Sequence, residues 1–395
     1  MARSRDSEGL APGSLILGLA LAGCVTSTQP VGPPRVVAGT GSGTVISRNP
    51  DGSVTRDSSL QVTVAPLPTL DTDGFRTPLL SPDGTHLAWQ TRSNADWPML
   101  LAQKGASTAI NATVATRAPE ASHGLESGPE LLLGRMAVRD GVLVESPQAD
   151  GSRRVGLLPW DAKDPRWLPE AAEVRAFACV GPRGEWGYGR RALDAECFDL
   201  VVERPEGRLE FPRREGESWS MPVVATDGVY ACSLRDGILE LAFLPLRPGE
   251  RLTRSQAEPA LIRHRISIRA TPRTAYQAMA AVAPDAAATP EGLLFFHPDL
   301  RRMAAWSPRT GRVRLLAEGS VSARPLDGTS MLVTLPGSLV LQEWPPQPAL
   351  APLQVLPGLW ISCGRSGGGT LLAGPREGTC SLSRLRLGTE TSPSP

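Results

Sequence analysis

The sequence predicts an all-β fold, a ring of repeated antiparallel meanders, and three observations predict it. Glycine and proline are both abundant, 40 and 38 of 395 residues, and both disfavour helix interiors while punctuating strands and turns. No long stretch shows the 3.6-residue apolar period of a helix. A glycine turn between apolar runs recurs along most of the chain.

The clearest copy of the turn is Ser81-Pro82-Asp83-Gly84, followed by the strand-like Leu87-Ala88-Trp89-Gln90. Proline presets the turn, and glycine fits a position needing positive φ. Shorter copies follow: Asp140-Gly141, Gly184 after Arg183, Asp227-Gly228, Gly292 after Glu291, Asp327-Gly328, and Gly369 after Gly368. The intervals between these glycines are 57, 43, 44, 64, 36 and 41 residues. A period near 40–45 marks four-stranded propeller blades. The two long intervals read as insertions, the second with a short helix expected at Thr274–Val282. Second glycine turns at Gly151, Gly237, Gly311 and Gly378 divide units further, so that each reads as a meander. The expectation is a single β-propeller over residues 41–388, most simply of seven blades, with six or eight as alternatives and a β-sandwich or two smaller β domains as the rival fold. An eighth signal, Asn49-Pro50-Asp51-Gly52, is expected to supply a strand that completes the last blade and closes the ring, which removes exposed strand edges.

The stretch Ser81 to Trp89 resembles the repeat of TolB-like β-propellers, a WD-type family. The resemblance implies protein–protein interaction in a cell envelope.

The N-terminus bears on location. Leu15 to Ala22 is an apolar run too short for a permanent membrane span but suited to an export signal. Leu21-Ala22-Gly23-Cys24 resembles the lipobox of bacterial lipoproteins. The resemblance implies removal of residues 1–23, acylation of Cys24 and stable anchoring by two or more chains. Val25, rather than Asp, matches the outer-membrane default where a cell has two membranes. Residues 24–40 are expected as a tether and 389–395 as a tail.

Charge excludes one class of partner. Forty-one basic residues face forty acidic ones, so no global field draws nucleic acid. The expected partner is an envelope protein, with the propeller itself monomeric and without cofactor. The four histidines, at 86, 123, 264 and 297, lack metal-ligand spacing. Gly364-Arg365-Ser366-Gly367-Gly368 has the outline of a nucleophile elbow, but no histidine follows it. A glycan-binding or polysaccharide-acting propeller is the alternative function. It would need carboxylates converging near the channel, whereas Asp140, Asp227, Glu291 and Asp327 read as turn residues.

After Cys24 five cysteines remain. Cys179 with Cys197, and Cys363 with Cys380, are candidate disulfides, since an exported chain meets an oxidising compartment. Geometry opposes them: each pair falls on the first and third strands of a meander, about 10 Å apart, against a reach of about 7 Å. Cys232 has no evident partner.

Overall fold

The computed structural model describes residues 35–38, 44–48, 54–72, 77–91, 113–128, 130–148, 150–169, 173–266, 287–289, 292–326, 330–345, 352–366, 368–376 and 379–389. Three strands open the chain: β1 (Arg35–Ala38), β2 (Thr44–Arg48) and β3 (Val54–Asp71). The first meander is β4 (Leu79–Leu80), β5 (Leu87–Gln90), β6 (Val114–Arg117) and β7 (Leu125–Glu126). The second is β8 (Leu132–Val138), β9 (Gly141–Pro147), β10 (Arg153–Pro159) and β11 (Arg166–Trp167). The third is β12 (Glu173–Val180), β13 (Trp186–Ala192), β14 (Asp199–Glu203) and β15 (Leu209–Glu210). The fourth is β16 (Ser218–Val224), β17 (Gly228–Arg235), β18 (Ile238–Pro245) and β19 (Ile262–Ile266). The fifth is β20 (Ala287–Thr289), β21 (Gly292–His297), β22 (Arg302–Trp306) and β23 (Val313–Leu315). The sixth is β24 (Ser322–Pro325), β25 (Ser330–Leu335), β26 (Ser338–Glu343) and β27 (Leu353–Pro357). The chain ends with β28 (Ile361–Ser366), β29 (Gly369–Arg376) and β30 (Thr379–Thr389). The second and third meanders share one eight-stranded sheet, joined by the parallel pair Arg153–Val174.

The last meander borrows its fourth strand. β3 pairs antiparallel with β30, from Leu60 opposite Thr389 to Asp71 opposite Thr379. The earliest segment of the chain thus completes the sheet begun by the latest. β2 folds back on the start of β3 as a hairpin around the Asn49–Gly52 signal, which itself lies outside the described residues. Among the described residues strand pairing already includes Arg35, inside the segment expected as a tether, because β1 adds to the other edge of β3.

Alternating side chains explain how the sheets stack. On β9, Val142 and Val144 face the first meander while Leu143 faces the third. On β17, Val229 and Ala231 face the third meander while Tyr230 and Cys232 face the fifth. A strand apolar on both faces is sandwiched, as period-2 geometry requires. Apolar clusters join every neighbouring pair of meanders around the ring, including the seventh to the first. The molecule is a closed all-β propeller.

Tryptophans wedge most of these interfaces. Trp160 joins the cluster between the first and second meanders, Trp219 the third and fourth, and Trp306 the fourth and fifth. Trp344 lies between the fifth and sixth, Trp360 between the sixth and seventh, and Trp89 between the seventh and first. All six are buried. Packing between blades, rather than a ligand face, is their role.

The repeated glycines have a physical cause the sequence hides. Gly141, Gly228, Gly292 and Gly369 each open the second strand of a meander, and a Cβ there would strike a backbone carbonyl of the third strand. The distances are 2.3 Å to Leu158 O, 2.3 Å to Leu244 O, 2.0 Å to Trp306 O and 2.6 Å to Leu385 O. Close backbone approach, more than turn geometry, excludes a side chain at these positions. Gly228→Ala is expected to cost about 1–3 kcal/mol through overpacking. Gly337→Ala, where nothing lies within 4 Å, is expected to be near neutral. Chemical denaturation of the two variants side by side checks this.

Among the described residues one helix is present. α1 (Arg254–Ala260) sits in the β18–β19 connection, started by Thr253, whose N–H is capped by the Gln256 side chain at 2.9 Å. The segment Thr274–Val282 lies outside the described residues.

Candidate functional site

Around most of the ring the first strand of one meander touches the first strand of the next: β4 meets β8, β8 meets β12, β12 meets β16, β16 meets β20, β24 meets β28 and β28 meets β4. These first strands wall the central channel. Every repeat turn joins a first strand to a second, so the turns at Gly84, Asp140-Gly141, Gly184, Asp227-Gly228, Gly292 and Gly369 ring one end of that channel. The sequence repeat therefore marks a single face. Asp327, Gly328, Glu291 and Cys24 lie outside the described residues.

The Ser81–Gly84 turn is built as a latch. Ser81 Oγ donates to Asp83 Oδ1 at 2.6 Å, and Thr85 gives the same oxygen its N–H at 3.1 Å and its hydroxyl at 2.8 Å. These bonds pull the Asp83 pKa down to about 2, the Ser81 hydroxyl contributing most. The carboxylate is spent on its own turn. Gly84, at φ 73°, lies so close to the seventh meander that a Cβ would stand 2.3 Å from Arg365 O. Ser366 Oγ donates to Gly84 O at 2.7 Å, and Arg384 links Ser366 to Glu120. On the rim, Trp89 Nε1 donates to Asp71 O at 3.0 Å and Arg117 Nη2 to Pro68 O at 2.8 Å. The one turn that resembles a known repeat is thus the turn that locks the closing seam.

The cysteines are unbridged. Cys179, Cys197, Cys232, Cys363 and Cys380 form no disulfide, against the candidate pairs Cys179–Cys197 and Cys363–Cys380. Cys179 is separated from Cys197 by β13, and Cys363 from Cys380 by β29, so the intervening strand keeps each pair apart. Burial pushes the Cys232 thiol up to about 12 and raises Cys179 and Cys380 as well. These thiols are protonated, unreactive core residues.

Among the described residues, no group of three or more His, Cys, Asp or Glu side chains is placed to hold a metal ion. The charged feature that sequence reading missed is basic. Arg135, on first strand β8, acts electrostatically on Cys179 of β12 and on Cys232 of β17, two meanders away.

A larger ionic cluster lies beneath the fourth meander. Glu217, fully buried, receives both terminal nitrogens of Arg263, one of them at 3.2 Å, and the Arg214 N–H at 3.0 Å. Arg263 also reaches Glu240 at 3.0 Å and lies 5.0 Å over the Trp219 ring. Burial alone would raise the Glu217 pKa; Arg263 and the Arg214 N–H outweigh it and hold the carboxyl below its ordinary value.

No family model matches the chain, and no curated protein does. Several solved structures resemble it at low identity. The WD40 domain of Toxoplasma gondii coronin is 11% identical at a TM-score of 0.47, over 87% of this chain and 90% of that one. TolB from Acinetobacter baumannii is 10% identical at a TM-score of 0.36, over 76% of this chain and 81% of that one. Prolyl oligopeptidase B from Galerina marginata is 9% identical at a TM-score of 0.43, over 86% of this chain. The chain spans 55% of that peptidase's length. At such identities the likeness concerns the fold.

Proposed function

We propose that this chain is a lipid-anchored envelope protein whose propeller binds a protein partner and carries out no reaction. The observation that carries this reading is the face of repeat turns: a rigid closed ring presents it, and its best-defined acid, Asp83, serves the turn rather than a substrate. Rigid scaffolds that display loops suit recognition. The anchor rests on the Leu21-Ala22-Gly23-Cys24 motif. No helix among the described residues is long and apolar enough to cross a membrane, and a lipid on Cys24 would supply the attachment. Export and outer-membrane residence belong to the same proposal.

Crosslinking in intact cells tests it, with the wild type beside Cys24→Ser. One recurrent envelope protein, captured by the wild type and lost with the anchor, is the expected result. Persistence of Cys24→Ser in the membrane fraction would overturn the anchor. Absence of any specific partner in both forms would overturn the binding role.

A further inference from the structure

We propose that the central channel holds a carboxylate-bearing ligand, gripped by Arg135 and Arg324. The first strands that wall the channel carry four arginines, Arg135, Arg175, Arg324 and Arg365, against one acid, Glu173. That acid is already used. Arg175 Nε donates to Glu173 at 2.7 Å, and its Nη1 donates to Pro169 O at 2.7 Å. The other three arginines make no ion pair among the described residues. The wall therefore carries uncompensated positive charge, although the whole chain is almost neutral. Apolar walls focus such a field.

Arg135 is the sharper case. It stands in an apolar strand, Leu132-Leu133-Gly134-Arg135-Met136-Ala137-Val138. Its Nη1 is buried and has no hydrogen-bond partner among the described residues. Glu145, on the neighbouring β9, is bonded instead to Arg153 at 3.0 Å. The side chain as a whole is part-buried, yet a buried guanidinium nitrogen left without an acceptor is costly to keep. Arg324, on β24, is held by its Nε, which donates to Ser362 O of β28 at 3.1 Å. Its terminal nitrogens are left for another acceptor.

The chemistry selects the ligand class. A guanidinium is a planar fork that matches a carboxylate with two parallel bonds. Phosphate sites usually add a nest or helix terminus of free backbone N–H groups, whereas strand ladders occupy much of this wall. Two forks suit a ligand with two carboxylates, either a free organic acid or the side chains of an acidic peptide. The inference stands on the channel wall and does not depend on the anchor or on a partner protein.

Titration calorimetry of the full-length protein tests it, with citrate in one arm and a tetraglutamate peptide in the other. Binding of citrate alone assigns a free acid; binding of the peptide assigns an acidic segment. Arg135→Met and Arg324→Met are each expected to weaken binding about tenfold to a hundredfold, and Arg235→Gln, on the exposed rim, to leave it unchanged. Arg135→Met is also expected to melt at or above the wild-type temperature, since it deletes an unpaired cation. The proposal is overturned if neither probe binds with Kd below about 1 mM. It is equally overturned if both channel variants bind as tightly as wild type. A fall in the melting temperature of Arg135→Met with unchanged binding in Arg324→Met would make both arginines structural.

Discussion

Charging the closing strand is expected to open the ring. In the full-length chain, Val62→Asp combined with Leu70→Asp puts two carboxylates where the native side chains are 0% and 1% exposed. Val62 packs among Leu332, Leu339, Val355 and Leu385, and Leu70 among Trp89, Leu371 and Leu382. Burying each of those apolar side chains contributes about 1.5–3 kcal/mol, and an unpaired buried carboxylate adds a further penalty. Together these terms rival the roughly 5–15 kcal/mol that holds a typical domain folded. The expected result is loss of the cooperative melt, with self-association through the uncovered edge of β30. Thermal unfolding and size-exclusion chromatography read both. A variant that melts within a few degrees of wild type and stays monomeric would show that β3 does not close the ring.

The second large effect is expected at Glu217. Removing it by Glu217→Ala strands Arg263, whose side chain is 13% exposed, with only the more peripheral Glu240. Breaking a buried pair in this way costs about 3–5 kcal/mol. Arg263→Met in the same background is expected to recover some of the loss, because the stranded charge goes with it. The pH dependence has a definite sign. The folded Glu217 pKa is depressed, so its contribution is complete above the ordinary glutamate range and fades as pH falls through the lower folded value. The stability gap between wild type and Glu217→Ala is thus widest near neutrality and narrows in acid. Urea unfolding at pH 7 and pH 4 measures it, and a constant gap would remove the ion pair from the account.

Much of the architecture was legible because the repeat marks itself. Glycines at 141, 228, 292 and 369 recur at the position where the third strand comes too close for a Cβ, so the spacing between them traces successive meanders. The closing strand was legible as a surplus unit before the first full one. The interface tryptophans are visible in the sequence, but only the packing of neighbouring sheets shows which interface each one fills. The candidate site was nearly silent. An arginine in an arginine-rich chain draws no attention, and the signal at Arg135 is its isolation inside an apolar first strand. Seeing it as a signal requires knowing which strand is first. The pairing of Arg175 with Glu173 sits two residues apart in sequence, yet nothing local says that Arg135 and Arg324 lack such a neighbour.

The long β3–β30 ladder has a mechanical consequence. Its bonds run crosswise to the strands, so once the short β1 and the β2 hairpin have peeled away, tension passed from the N-terminus into β3 loads many of them at once, in shear. A hairpin pulled open from its end would instead lose its bonds singly, in succession. If a lipid on Cys24 tethers the chain, thermal jostling of the membrane is carried by the strand best arranged to resist it, and the seam that closes the ring is also its strain relief.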